Sequence, residues 1–309
     1  MGTVLAASLS SAQSVPEDVA HLYAASVNPL VSDEFEGDTL DRDKWTYRTL
    51  WPGSLWGTGT EYVQMRQDGD DGYVSLVGTW DENEPRGSGI ATKHETHFGF
   101  FSTRWRTDGI VQGSPTPWHP AIWMAAHNVS QEEWRSIPAT DKNLEIDFVE
   151  YWHIPQWHSQ AIEWDRNGPE TFHKILREND DFGTVETGWK EHGLEYNPDY
   201  MQLWVKENGE WTAIGNRIEI NDDPNDPDAI HRDFASAGYW ILSNKEHFDV
   251  VANSPRWRDT DDYSPFLFQD STFDIDYFRH FELAVAPEPG TALVLVGLAP
   301  LLAMRRRRR

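Results

Sequence analysis

Between residues 28 and 285 the chain alternates short aromatic or β-branched runs with turn-rich stretches. The runs include "GYVSLVGTW" (72–80), "FGFFSTRWRT" (98–107), "AIWMA" (121–125), "LEIDFVEYW" (144–152), "SQAIEWD" (159–165), "MQLWVKENGEWTAI" (201–214), "GYWILSN" (238–244) and "FDIDYFRHFEL" (273–283). Runs of this length and spacing predict strands, and Asn208-Gly209 is a hairpin-turn signal. Long amphipathic helices are scarce, with "QEEWRS" (131–136) reading as one short helical turn. "NDDPNDPDAIHRD" (221–233) reads as a polar loop. The pattern predicts one all-β domain, an antiparallel sandwich or barrel.

One strand breaks the pattern. "NLEIDFVEYWHI" (143–154) carries Glu145, Asp147 and Glu150 among apolar residues, although strands are depleted in acids. Alternation puts Glu145 and Asp147 on one face and Ile146 and Phe148 on the other. It would also turn Glu150 toward the apolar side, where an unpaired charge is costly. A β-bulge between Asp147 and Glu150 returns Glu150 to the acidic face and leaves Tyr151 turned inward. The Cα atoms of Glu145 and Glu150 then lie ~13 Å apart, and their side chains can lean together. A carboxylate pair at about 5–5.5 Å suits retaining glycoside hydrolysis, with one nucleophile and one acid/base. Crowding raises the proton affinity of one member, so that it can donate near neutral pH. An exposed, inert strand face and a calcium site are the alternatives. The apolar neighbours argue against the first, and a flat row wraps a cation poorly.

Composition narrows the classes. The 309 residues include no Cys, which excludes thiol catalysis and Cys-ligated zinc. Net charge is −25, and −30 without the five terminal residues Arg305 to Arg309. Such a surface repels nucleic acid and anionic lipid. Sixteen Trp in a chain of mean hydropathy −0.64 suggest contact surface as well as core. Residues 1–27 read as a disordered lead-in or the remnant of a signal peptide. At the other end, Pro287-Glu288-Pro289-Gly290 precedes the apolar "TALVLVGLAPLLAM" and five Arg. This order resembles the PEP-CTERM sorting signal of bacterial envelope proteins. It implies export, then attachment at the cell envelope through residues 286–309, with sorting machinery and membrane as partners.

The motif Glu145-Ile-Asp147-Phe-Val-Glu150 resembles the E-x-D-x-x-E signature of glycoside hydrolase family 16. "SDEFEGDTLDRDKW" (32–45), "TKHETHFGFFSTRWR" (92–106), "PWHPAIWM" (117–124), "GWKEHGLEYNPDYMQLWV" (188–205) and "FDIDYFRHFE" (273–282) resemble that family's other motifs in order and spacing. The departures Ser102 and Lys190 fall outside the acidic motif.

The resemblance implies a β-jelly roll with an open cleft over residues 28–285. It also implies retaining endo-hydrolysis of a β-linked polysaccharide. Glu145 would be the nucleophile, Asp147 the assisting residue and Glu150 the acid/base. Sugar faces pack on aromatic rings, so Trp118, Trp123 and Trp152, with Trp51 and Trp56, are the expected subsite residues. His153 joins them as a polar contact, and Arg104 reads either as a structural strand Arg or as a residue that orients a carboxylate or binds an anionic sugar. His153 and His158 read as hydrogen-bonding loop residues, since two histidines five apart with no third ligand suit zinc poorly. No cofactor is required. A structural calcium at Glu34, Gly37 and Asp276 is carried over from relatives. A monomer is expected. The competing readings are a non-catalytic carbohydrate-binding surface protein and a transglycosylase of the same fold. β-Glucans and red-algal galactans (agar, porphyran, carrageenan) all fit as substrates.

Overall fold

The computed structural model describes residues 15–48, 57–69, 71–79, 86–110, 118–126, 142–152, 156–165, 169–176, 188–223, 225–246 and 269–284. The sorting tail, Trp51, Trp56, His153 and the "QEEWRS" segment lie outside them.

Two sheets form a β-jelly-roll sandwich. The first has seven strands in the order β1 (Trp45–Tyr47), β4 (Ser88–Thr92), β14 (Tyr239–Glu246), β6 (Trp118–Ala125), β7 (Lys142–Trp152), β8 (Gln156–Asp165) and β9 (Thr171–Leu176). The second has eight: β13 (Ile230–His231), β12 (Glu210–Asn221), β11 (Tyr200–Glu207), β10 (Lys190–Tyr196), β5 (Gly99–Asp108), β15 (Ser271–Glu282), β3 (Asp71–Gly78) and β2 (Val63–Asp68). All strand pairs within the sheets are antiparallel except β12 with β13.

Each quoted apolar run forms a strand because one face of it enters the core. Ile146 and Phe148 of β7, Ile122 and Met124 of β6, Trp240 of β14, and Phe101 and Trp105 of β5 are all fully buried there. Trp240 packs between Phe101 and Phe278, with ring centroids at 4.6 and 5.3 Å. The Asn208-Gly209 turn closes β11 onto β12 with φ of 53° and 87° at its two central residues. Both values lie in the left-handed region that a two-residue hairpin demands. The 221–233 stretch is a loop that also contributes the short β13.

The lead-in ends earlier than the sequence suggests. Val15 and Tyr23 pack with Phe100 and Phe281 on the outer face of the eight-stranded sheet. Tyr23 donates to Glu195 at 2.8 Å, and Ala24 N–H bonds Glu282 O at 2.7 Å. Residues 15–27 therefore belong to the sandwich rather than preceding it.

Candidate active site

The strand β7 is kinked where its acids require. Its pairing with β8 shifts register between Asp147 and Glu150, and its pairing with β6 shifts between Ile122 and Trp123. Phe148 and Val149 both turn into the core, each fully buried. The chain thus spends two consecutive residues on one face, and Glu150 emerges beside Glu145 and Asp147 on the outer face of the seven-stranded sheet. Tyr151 turns inward and packs edge-on against Trp157, centroids 5.1 Å apart.

Neighbouring strands complete the site from the same face. Glu150 pairs laterally with Ala121 of β6 and His158 of β8; Asp147 pairs with Trp123 and Gln160. His119, one step beyond Ala121 on that face, bonds Glu150 Oε1 through Nε2. His158 Nε2 lies 2.6 Å from Glu150 Oε2. Gln160 Nε2 donates to Asp147 Oδ2 at 2.8 Å, and Ser159 Oγ donates to the Asp147 carbonyl at 3.0 Å. Trp123 donates to Ser243 of β14 at 3.3 Å, and the Arg48 guanidinium sits 5.5 Å from the centre of its ring.

The electrostatics follow from this crowding. Burial, then the Glu150 charge, pushes Glu145 up to about 7, with Lys245 and the Trp164 N–H opposing. Burial and the charges of Glu150 and Glu145 hold Asp147 well above the usual carboxylate range, and its hydrogen bond to Glu150 adds to this. Burial also raises Glu150, but His119 and His158 outweigh it and hold this carboxyl well below the usual range. Burial depresses His119 despite Glu150, so it is a neutral imidazole donating Nε2–H. Arg48, 2 % exposed, is brought down to about 10 by burial, with Glu145 opposing. Asp147, Glu150 and His158 bring one ligand atom each within 4.8 Å of one another, close enough for a small cation. Each carboxyl already meets a polar partner: Gln160 Nε2 donates to Asp147 Oδ2, His119 bonds Glu150 Oε1, and His158 Nε2 lies beside Glu150 Oε2.

Three expectations are corrected. Trp118 is on the opposite face of β6 from Trp123. It is 1 % exposed within the core, with Nε1 bonded to Gln269 O at 2.7 Å, so it is a packing residue. Arg104 is on β5 in the other sheet, paired with Asp276 at 2.7 Å and lying over Trp189. His158 is on a strand rather than in a loop, and it touches the acids directly. The proposed calcium set does not fit a hard dication. Arg279 grips Glu34 at 2.6 and 2.8 Å, Arg104 holds Asp276, and Gly37 is exposed. The guanidinium groups already supply the countercharge. Trp152 closes β7 through its backbone pairing with Gln156, and its side chain lies outside the described residues.

His119, Gln160, Arg48 and Lys245 were not legible as site residues, because each joins the acids only through strand neighbours.

No family model and no curated protein matches the chain. Solved structures do. A family GH16 enzyme of the Bacteroides ovatus mixed-linkage glucan locus, solved with a G4G4G3G product, aligns at TM-score 0.55 and 14% identity, over 81% of this chain and 99% of that one. A non-specific endo-β-1,3(4)-glucanase from family GH16 aligns at 0.53 and 17%, over 84% and 94%. The β-porphyranase from Bacteroides plebeius aligns at 0.51 and 15%, over 84% and 92%. The fold is the one these enzymes share. At such identities the likeness concerns architecture alone.

Proposed function

We propose that the protein is a retaining endo-glycosidase that cleaves a β-linked polysaccharide. The observation that carries this reading is the bulge of β7, which gathers Glu145, Asp147 and Glu150 on one outer face of a sheet. The Glu150 charge raises the proton affinity of both Glu145 and Asp147 there. In this reading Glu145 attacks the anomeric carbon and Glu150 protonates the leaving oxygen. Glu150 then takes a proton from the water that releases the sugar, and the configuration is retained. Trp123, half-buried beside the acids, offers an aromatic face to a sugar ring. β-Glucans and red-algal galactans remain the substrate classes, as the structural neighbours named for glucans and porphyran suggest. Export to the envelope belongs to the same reading and is supported by the Pro287–Arg309 segment.

Turnover needs Glu145 charged and Glu150 protonated. The resting site holds the reverse: the protons favour Glu145 and Asp147, and Glu150 is the ionised member. Coupled carboxyls exchange protons as a unit, so a bound substrate has only to shift the distribution.

The test is Glu145→Gln and Glu150→Gln, assayed for new reducing ends on a panel of β-glucans and galactans. Each variant is expected to lose at least about 10³-fold in kcat while still binding polymer in affinity electrophoresis. Wild-type-like turnover in either variant refutes the assigned roles. Binding without any wild-type turnover favours a carbohydrate-binding surface protein instead.

A further inference from the structure

We infer that His119 and His158 divide Glu150 between them: His119 anchors Oε1 throughout, while His158 covers Oε2 in the resting site and yields it to the incoming sugar. The inference rests on the glycosidase reading above and deepens it, by assigning positioning residues to its acid/base.

Three adjacent strands build the unit: His158 of β8 is directly opposite Glu150 of β7, and His119 of β6 is two residues from Ala121, the residue opposite Glu150 on that side. Each carboxylate oxygen meets one imidazole Nε2. A glycosidic oxygen must reach one of these two oxygens, and the imidazole that stands on its path has to move aside. Burial decides which. The His119 side chain is 5% exposed and Glu150 7%, whereas His158 is 16% exposed and stands on the solvent side.

Release of Oε2 has a chemical consequence. Gln160 Nε2 occupies Asp147 Oδ2, which leaves Oδ1 as the oxygen to hold a proton, and burial with the Glu150 and Glu145 charges raises the proton affinity of Asp147. When His158 lets go, Glu150 loses a donor and gains proton affinity. The O–H bond at Asp147 breaks and one forms at Glu150; the negative charge moves to Asp147, where Gln160 stabilises it. Glu150 then passes this proton to the leaving oxygen, and it recovers one from water in the second half-reaction. The titratable groups facing Glu150 are Glu145 and Asp147 on its own strand, His119 on β6 and His158 on β8; Lys245 of β14 acts on Glu145 and His119.

The experiment compares pH profiles of kcat/KM for wild type, His158→Ala and His119→Gln. Removing His158 tightens the proton on the Asp147–Glu150 pair. The high-pH limb of His158→Ala should therefore move up by about one unit, the scale of one lost hydrogen bond to a carboxylate. Added imidazole should move it back. His119→Gln should lower kcat about 10²-fold with KM unchanged, as expected for a misplaced acid/base. An unmoved limb in His158→Ala, or the same imidazole-insensitive loss in both variants, overturns the inference. If His119→Gln does not fold, His158→Ala decides alone. A readout without turnover keeps this separate from the hydrolase reading. The ¹³C-carboxyl signal of Glu150, recognised by its absence in Glu150→Gln, should titrate at higher pH in His158→Ala than in wild type. Wild type that cleaves nothing defeats the glycosidase reading, whereas an unchanged Glu150 titration defeats the clamp.

Discussion

Trp118 and Trp123 are five residues apart on β6 and face opposite sides of the sheet, so exchanging each for Ala separates packing from recognition. Trp118 is 1 % exposed in the core, and its Nε1 donates to Gln269 O at 2.7 Å. Its ring fills a slot that exists because residue 78 is Gly: a Cβ there would lie 2.7 Å from the indole. Removing a buried Trp costs roughly 3–5 kcal/mol in lost transfer energy and residual cavity. The abandoned carbonyl adds about 1 kcal/mol. For a domain of this size each kcal/mol is worth about 2–4 °C, so Trp118→Ala should lower Tm by roughly 10 °C or more. At temperatures where it is folded, its KM should match wild type. Trp123 is half-buried on the acidic face, held by Ser243 and lying beside Arg48. Its replacement leaves no sealed cavity, so the Tm change should be less than half that of Trp118→Ala. Affinity for polymer should fall about tenfold, the equivalent of ~1.4 kcal/mol. Thermal unfolding followed by fluorescence, with KM measured well below Tm, checks both. A Trp118→Ala protein with wild-type Tm and weakened binding would refute the assignment of faces.

Two further outcomes follow from the charges. In the proposed mechanism Glu145 has to be ionised to attack, and it is held near 7, mainly by burial and the Glu150 charge. Below that pH it is protonated and silent, so kcat/KM should rise between about pH 6 and pH 8; an optimum below pH 5 would contradict the site's electrostatics. Because Arg279 and Arg104 occupy Glu34 and Asp276, EDTA should leave Tm unchanged and added Ca²⁺ should not raise it. A calcium-dependent rise of several degrees would show that a cation does enter there.

Much of this architecture is legible in the chain because burial acts on alternate residues. The runs that form β3, β5, β6, β7, β8, β11, β12, β14 and β15 all stand out as apolar or aromatic stretches. The β7 bulge is legible for a different reason. A charged residue in the wrong phase, Glu150, forces either a desolvation penalty or an inserted residue, and the chain inserts one. The lateral neighbours were not legible. Local sequence does not say that β6 and β8 flank β7, and so it cannot say that His119 and His158 meet on Glu150. Phase errors explain the misplaced aromatic. In "PWHPAIWM" the spacing of five already puts the two Trp on opposite faces, but only pairing with Asp147 and Glu150 assigns 119, 121 and 123 outward and 118, 122 and 124 inward. Arg104 was misplaced because its motif strand, β5, pairs in the other sheet. Strands β1, β2, β4, β9, β10 and β13 were not among the predicted runs; β2 and β9 are short edge strands with part of their length in water.

The most direct measurement is ¹H NMR of the anomeric region during the first minutes of polysaccharide cleavage, before mutarotation mixes the products. Two carboxyls sharing one bulged strand should act by double displacement, so the β-anomer of the new reducing end should appear first, and Glu145→Gln should abolish the signal. First appearance of the α-anomer, or an undiminished signal from Glu145→Gln, would contradict the account.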